Sequence, residues 1–164
     1  MRIRPAEPRD IPRIGALLYT IHAAHADLRP DIFIPGRRKY DEAALEALLQ
    51  DRRRPMWVAE EGGSVLGYCL AMVEETAGQA NMADRRVLYI DDLCVDEAYR
   101  GRGIGSALCR EVMAAARAQG FDSVTLNVWT GNDGARRLYE KLGFAPLKTT
   151  MEMRLKEKEE NPCG

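Results

Sequence analysis

The sequence predicts an α+β or mixed-sheet α/β domain rather than a doubly wound one. Apolar residues recur at helical spacing in four segments, with strand-length apolar runs between them. Strands of the first half are joined mainly by turns, those of the second half by helices. With 164 residues, 46% of them hydrophobic and 30% charged, the chain has the size of one domain with a substantial core.

Each element has a local reason. Ile3 opens a short first strand. Ile11, Ile14, Leu18, Ile21, His22 and His25 fall on one helical stripe, and Pro12 is compatible with a helix only near its start. Residues 27–39 hold two prolines and a glycine and read as a loop. Asp41 is placed to cap a second helix, with Tyr40 and Leu45 as a hydrophobic staple and Ala44, Leu48 and Leu49 also facing the core. Residues 56–60 and 65–73 predict a hairpin around Gly62 and Gly63. Residues 74–86 read as a longer connection, and 87–95 as an apolar strand interrupted by Asp91 and Asp92. A third helix carries Ile104, Ala107, Leu108, Val112 and Ala115 at helical spacing and ends at Gly120. Residues 124–129 predict a strand. Residues 132–142 predict a fourth helix with Ala135, Leu138, Tyr139 and Leu142 on one face and Gly143 just past its end. Residues 144–147 and 149–155 predict two closing strands, so one domain spans 1–156 and a charged tail occupies 157–164.

Composition removes several classes of function. Lys plus Arg number 24 against 25 Asp plus Glu, a formal net charge of −1, which excludes a strongly basic nucleic-acid binder. No run approaches the ~18 apolar residues of a membrane span. Arg2, Arg4, Pro5, Glu7 and Pro8 stand where a signal peptide needs an apolar core, so a cytoplasmic protein without membrane contact is expected. Cys69, Cys94, Cys109 and Cys163 form no C-x-x-C pair and are expected as free thiols. Two histidines without ligand spacing predict no metal site.

The most informative segment is Arg100, Gly101, Arg102, Gly103, Ile104, Gly105 and Ser106, between an apolar strand and a helix. Glycines let backbone N–H groups turn toward a ligand, and a helix start favours an anion such as a pyrophosphate. The P-loop pattern is missing its lysine, and the dinucleotide fingerprint wants glycine or alanine where Ser106 stands. In the second constellation Asn132 opens a helix and Tyr139 follows two turns later. By themselves these read as an N-cap and a core tyrosine.

Together the two segments resemble the GNAT superfamily of acetyl-CoA-dependent N-acetyltransferases. The run from Leu93, Cys94 and Val95 through Arg100, Gly103 and Gly105 looks like its motif A, and the run from Asn132 to Phe144 looks like its motif B. The resemblance implies a mixed, mostly antiparallel sheet whose parallel strands splay at the coenzyme site. It implies that Leu93, Cys94 and Val95 bind the pantetheine arm through their backbone, with a nearby N–H stabilising the oxyanion, and that Arg100 through Ser106 hold the pyrophosphate. Asn132 would contact the arm, and Tyr139 would protonate the leaving thiolate. The resemblance also implies a homodimer, with residues 149–153 as a possible shared edge, and an acceptor site shaped by residues 27–40 and 74–86. The expected reaction is transfer of the acetyl group of acetyl-CoA, with no metal, to a primary amine of a small molecule or protein. A non-catalytic acyl-CoA-binding regulatory module on the same fold is the alternative, and retention of Tyr139 argues against it.

A general base is needed because amines arrive mostly as ammonium ions. A carboxylate set among apolar strand residues has its pKa raised, which suits the task. Strict alternation places Asp91 on the face of Leu93 and Val95 and Asp92 on the face of Cys94, and Asp91 is favoured. Asp92, His22 and His25 are next in line, the histidines reading first as packed and hydrogen-bonded side chains. Arg52, Arg53 and Arg54 read as a solvated turn, and Glu74 and Glu75 as surface.

Overall fold

The computed structural model describes residues 1–155. The tail expected at 157–164 and Cys163 lie outside the described residues. Strands β1 (Arg2–Pro5), β2 (Met56–Glu61), β3 (Ser64–Thr76), β4 (Arg85–Val95) and β5 (Ser123–Leu126) form one sheet in the order β1-β2-β3-β4-β5. The first three pairings are antiparallel and β4–β5 is parallel. Helices α1 (Ile11–Leu28) and α2 (Glu42–Gln50) cover one face. Helix α3 (Ile104–Ala118) covers the other, with residues of α4 (Asp133–Lys141) packed against the same core. This is the mixed-sheet domain that the sequence predicts, with the mostly antiparallel order that the resemblance implies.

Local chemistry explains most boundaries. Pro12 sits in the first turn of α1, which follows a 3₁₀ turn at Pro8–Asp10. Asp41 accepts from the N–H of Ala44 at 2.8 Å, and Tyr40 packs on the cluster that holds Leu45. Gly143 closes α4. Its N–H donates to Glu140 and that of Phe144 to Tyr139, both at 3.0 Å, satisfying two terminal carbonyls. The Phe144 ring meets Tyr139 edge-on at 5.7 Å, the apolar contact that accompanies such an end.

Two cores lie on opposite faces of the sheet. Trp57, Cys69, Leu88 and Ile90 pack with Leu108, Cys109 and Val112 of α3. Val58, Tyr68, Leu70 and Cys94 pack with Ile14, Leu17, Leu18 and Leu45 of α1 and α2. At the edge of the second core, the buried Asp10 carboxylate takes both Nη groups of Arg4, at 2.7 and 2.9 Å, and the Glu7 N–H at 2.8 Å. That fan of donors is what makes a buried carboxylate tolerable.

At Gly67 a β-carbon would stand 2.7 Å from the Cys94 carbonyl oxygen, so β3 and β4 approach there only because the side chain is absent. Gly67→Ala is expected to cost about 1–3 kcal/mol of stability through overpacking. A thermal melt should show it as a drop of roughly 2–4 °C per kcal/mol. An unchanged melting temperature would mean that the strands separate without strain.

Three expectations are corrected. Residues 74–76 and 85–86 belong to strands, not to a connection, because Glu75 joins Arg86 across the ladder at 3.1 Å and Arg53 at 2.8 Å. β5 ends at Leu126, not at 129, because its pairing with β4 stops at Ile90 and Leu126. Residues 144–147 and 149–155 form no strand. Pro146 lacks an N–H for pairing, and Leu147, Met151, Met153 and Leu155 are exposed, without the buried face that would fix a register. The strand edge expected for a dimer is therefore not formed.

Candidate active site

The parallel ladder joins Val87 to Ser123 through Ile90 to Leu126 and stops. On its other side β4 is irregular. Ala71 lies opposite Ile90 and Leu70 opposite Asp92, which leaves Asp91 as an extra residue. This bulge shifts the alternation of β4. Ile90, Leu93 and Val95 belong to the α3 core, whereas Cys94 belongs to the α1–α2 core, and Asp92 faces that core with Leu70. Beyond the bulge, residues 91–95 of β4 have no pairing partner in β5, which ends at Leu126.

The bulge also corrects the alternation expected for the acidic pair. Asp92 shares the side of Cys94, as expected. Asp91 does not share that of Leu93, because both carboxylates reach groups on the α1–α2 side. Asp91 accepts from Lys39 Nζ at 2.6 Å and from the Tyr40 hydroxyl at 3.0 Å, with Arg54 at 3.9 Å. Asp92 accepts from the Tyr68 hydroxyl at 2.9 Å. Burial pushes the Asp92 carboxyl up to about 6, although the Tyr68 hydroxyl and Lys39 favour its ionised form. The two neighbours are thus differentiated by environment, one held in an ion pair and one desolvated.

Tyr139 lies on the α3 side, packed against the core of Leu108 and Cys109. Burial, with smaller contributions from Cys109, Cys69, Asp92 and Tyr89, holds its phenol well above its ordinary pKa. At neutral pH it carries its proton. Where the parallel strands part, Asn127 Nδ2 donates to the Tyr89 hydroxyl at 3.1 Å.

The glycine-rich turn leads into α3 with Gly101 at φ 78° and Gly103 at φ 77°, the left-handed region that favours glycine. Gly103 is the N-cap and offers no side chain to the first-turn N–H groups, and no atom lies within 4 Å of where its β-carbon would stand. Open space beside uncapped N–H groups at the positive end of a 15-residue helix suits an anion. The arginines of the turn are engaged. Arg100 pairs with Glu97 at 3.0 Å, and Arg102 pairs with Glu61 at 2.7 Å while lying over the Tyr99 ring. Asn132 caps α4 by accepting from the Ala135 N–H at 3.2 Å, which leaves its amide nitrogen as the donor available to a ligand.

Among the described residues neither histidine is hydrogen-bonded to the acidic pair, although the Lys39 charge acts on His25. His22 Nε2 bonds the Ile34 carbonyl oxygen at 2.9 Å, and both rings lie against Phe33, which meets Trp129 edge-on at 5.4 Å. Sequence reasoning missed Lys39, Tyr68 and the second role of Tyr40. Phe33 and Trp129 were missed as a bridge between the α1–α2 connection and the segment that follows β5. The one local signal was Tyr68, which alternates with Leu70 on the hairpin strand. Among the described residues no group of acidic, histidine or cysteine side chains could hold a metal ion, and no helix is long and apolar enough to cross a membrane. Cys69, Cys94 and Cys109 are buried and free.

The sequence profile of the acetyltransferase (GNAT) family matches residues 21–144. The chain is 38% identical over 101 residues to N-acetyltransferase 8B of Rattus norvegicus, a match covering 60% of this chain and 43% of that relative. It is 38% identical over 88 residues to the mycothiol acetyltransferase of Thermobispora bispora, covering 54% and 29%. The match therefore spans less than half the length of either relative. A crystal structure of a mutant BH1408 protein from Bacillus halodurans superposes with a TM-score of 0.90 at 31% identity, covering 94% of this chain and 99% of that one.

Proposed function

The chain belongs to the GNAT acetyltransferase family, and on that premise we propose that it transfers the acetyl group of acetyl-CoA to a primary amine of a small molecule or protein. The observation that carries the reading is the bulge at Asp91, where the parallel strands part beside a desolvated carboxylate. Acetyl-CoA supplies an activated acyl group to this gap.

The residues divide the work as follows. The uncapped N–H groups from Ile104 to Ser106 hold the pyrophosphate, and glycine at 101 and 103 keeps side chains out of their way, while Gly105 lets Leu138 pack close to the start of α3. Leu93, Cys94 and Val95 carry backbone groups that β5 no longer pairs, so an extended arm can add there as a strand would. Asn132 donates to the same arm. Asp92 accepts the proton of the incoming amine. Its pKa of about 6 leaves it ionised at neutral pH yet more basic than an ordinary carboxylate. Asp91 and its partners Lys39, Tyr40 and Arg54 shape the acceptor side. Tyr139 holds a proton for the departing thiolate.

Gly103→Val tests the coenzyme half of this reading. Valine at φ 77° is strained and places two methyl groups at the turn. Acetyl-CoA affinity by calorimetry is expected to fall at least about tenfold, or ~1.4 kcal/mol, in a protein whose far-ultraviolet dichroism is unchanged. Equal affinity in the folded variant would move the site elsewhere.

A further inference from the structure

The chain contains 19 arginines but five lysines. Lys141 and Lys148 are exposed, and Lys156 and Lys158 lie outside the described residues. Lys39 alone among the described lysines is seated at the acidic pair. Its Nζ is 2.6 Å from Asp91, one residue beyond the last paired position of β4, and it also lies over the Tyr40 ring at 5.3 Å. It arrives from the α1–α2 connection, the side on which both carboxylates are presented. Arg37, Arg38 and Arg54 share this neighbourhood in sequence or space, but a guanidinium stays protonated and is no acyl acceptor.

We propose that Lys39 is itself an acetyl acceptor, modified in cis by the chain's own active site. The inference rests on the acetyl-CoA reading above. The geometry supplies proximity without diffusion: a primary amine on a flexible four-carbon stem is tethered within hydrogen-bond reach of one carboxylate and next in sequence to the other. Its side chain is 41% exposed, so the stem has room to swing from Asp91 toward the gap.

In the step itself, the Lys39 ammonium gives one proton to Asp92. The free amine attacks the acetyl carbonyl, the N–C bond forms and the C–S bond breaks. Tyr139 protonates the departing thiolate and is reprotonated from solvent, while the second amine proton and then the proton on Asp92 leave to solvent. The products are Nζ-acetyl-lysine and free CoA, with no oxidant or reductant needed. Acetylation removes the positive charge and so dissolves the ion pair with Asp91. Asp91 then keeps the Tyr40 hydroxyl and the more distant Arg54, at 3.9 Å, with one cation fewer on the acceptor side.

Burial works against the Lys39 ammonium, but the Asp91 carboxylate more than offsets it and holds the pKa above its ordinary value. The reactive free amine is therefore scarce at neutral pH. Its population grows about tenfold per pH unit, so modification accelerates between pH 7 and pH 9.

The experiment incubates the purified full chain with acetyl-CoA and no added amine at pH 8.5. Peptide mass spectrometry follows acetylation at Lys39, Lys141 and Lys148, and calorimetry on the same preparation reports acetyl-CoA binding. Lys39 is expected to be modified at least about tenfold faster than the other two, with a first-order constant independent of protein concentration. Asp92→Asn should remove the advantage of Lys39 but leave the slow chemical acetylation of Lys141 and Lys148. Equal rates at all three lysines, or a rate at Lys39 that climbs with protein concentration, would overturn modification in cis. A binding isotherm with Lys39 left unmodified overturns this inference alone. No binding at all overturns the acetyl-CoA reading, and this inference with it.

Discussion

Asp92→Asn is expected to lower kcat/KM for amine acetylation at pH 7 by about 10²-fold or more, the scale of general-base catalysis. The reason is local. Burial raises the carboxyl to about 6, so above that pH it is ionised and able to accept a proton, and below it the group is neutral and cannot. The wild-type rate should therefore climb with pH up to about 6 and less steeply above it, where only the free-amine fraction still grows. Asparagine keeps the shape and a hydrogen-bonding partner for the Tyr68 hydroxyl but has no basic lone pair of this kind. The variant should lose the step near pH 6 and recover part of its deficit at high pH, where solvent deprotonates the amine. A variant profile that overlays the wild type would return the role to Asp91 or to water.

Removing only the hydroxyl of Tyr139 should lower kcat by a similar factor, about 10²-fold, with little change in melting temperature. Burial keeps the phenol protonated across the working range, so its proton is present when the thiolate leaves. Phenylalanine preserves the ring contact with Phe144 and the packing on the α3 core, which separates chemistry from structure. The loss should be largest with the thioester, whose leaving thiolate must be protonated, and it should appear in kcat more than in KM. Activity within a factor of a few of wild type would make Tyr139 a packing residue, which is how its position on an apolar stripe first reads.

Much of this fold is written in local signals. Asp41 caps α2, Gly143 ends α4, and Gly62 with Gly63 turns the β2–β3 hairpin, each as the sequence predicts. The turn before α3 is equally legible, because Gly101 and Gly103 take the left-handed backbone that glycine favours. The bulge at Asp91 was not legible. A period-two pattern carries no mark of one extra residue, and the insertion decides which side a carboxylate faces. The acceptor side was hidden for a different reason. Lys39 and Tyr40 reach Asp91 across more than fifty residues of chain, through a connection whose course no local rule fixes. Residues 144–155 failed in the opposite direction. Their alternation predicts strands, but pairing needs a partner edge, and Pro146 and an exposed run of methionines provide no buried face to hold one.

The central claim is that the gap beside Asp92 is a site of acetyl transfer and not merely of acyl-CoA binding. The most direct measurement follows free CoA thiol and acetylated product together across a panel of primary amines, for the wild type and for Asp92→Asn. Transfer predicts at least one amine for which thiol and acetyl-amine appear one for one, at a rate that falls about 10²-fold in the variant. Tight acetyl-CoA binding with thiol release no faster than the hydrolysis blank for every amine, and the same in both proteins, would contradict it and leave a regulatory acyl-CoA-binding module.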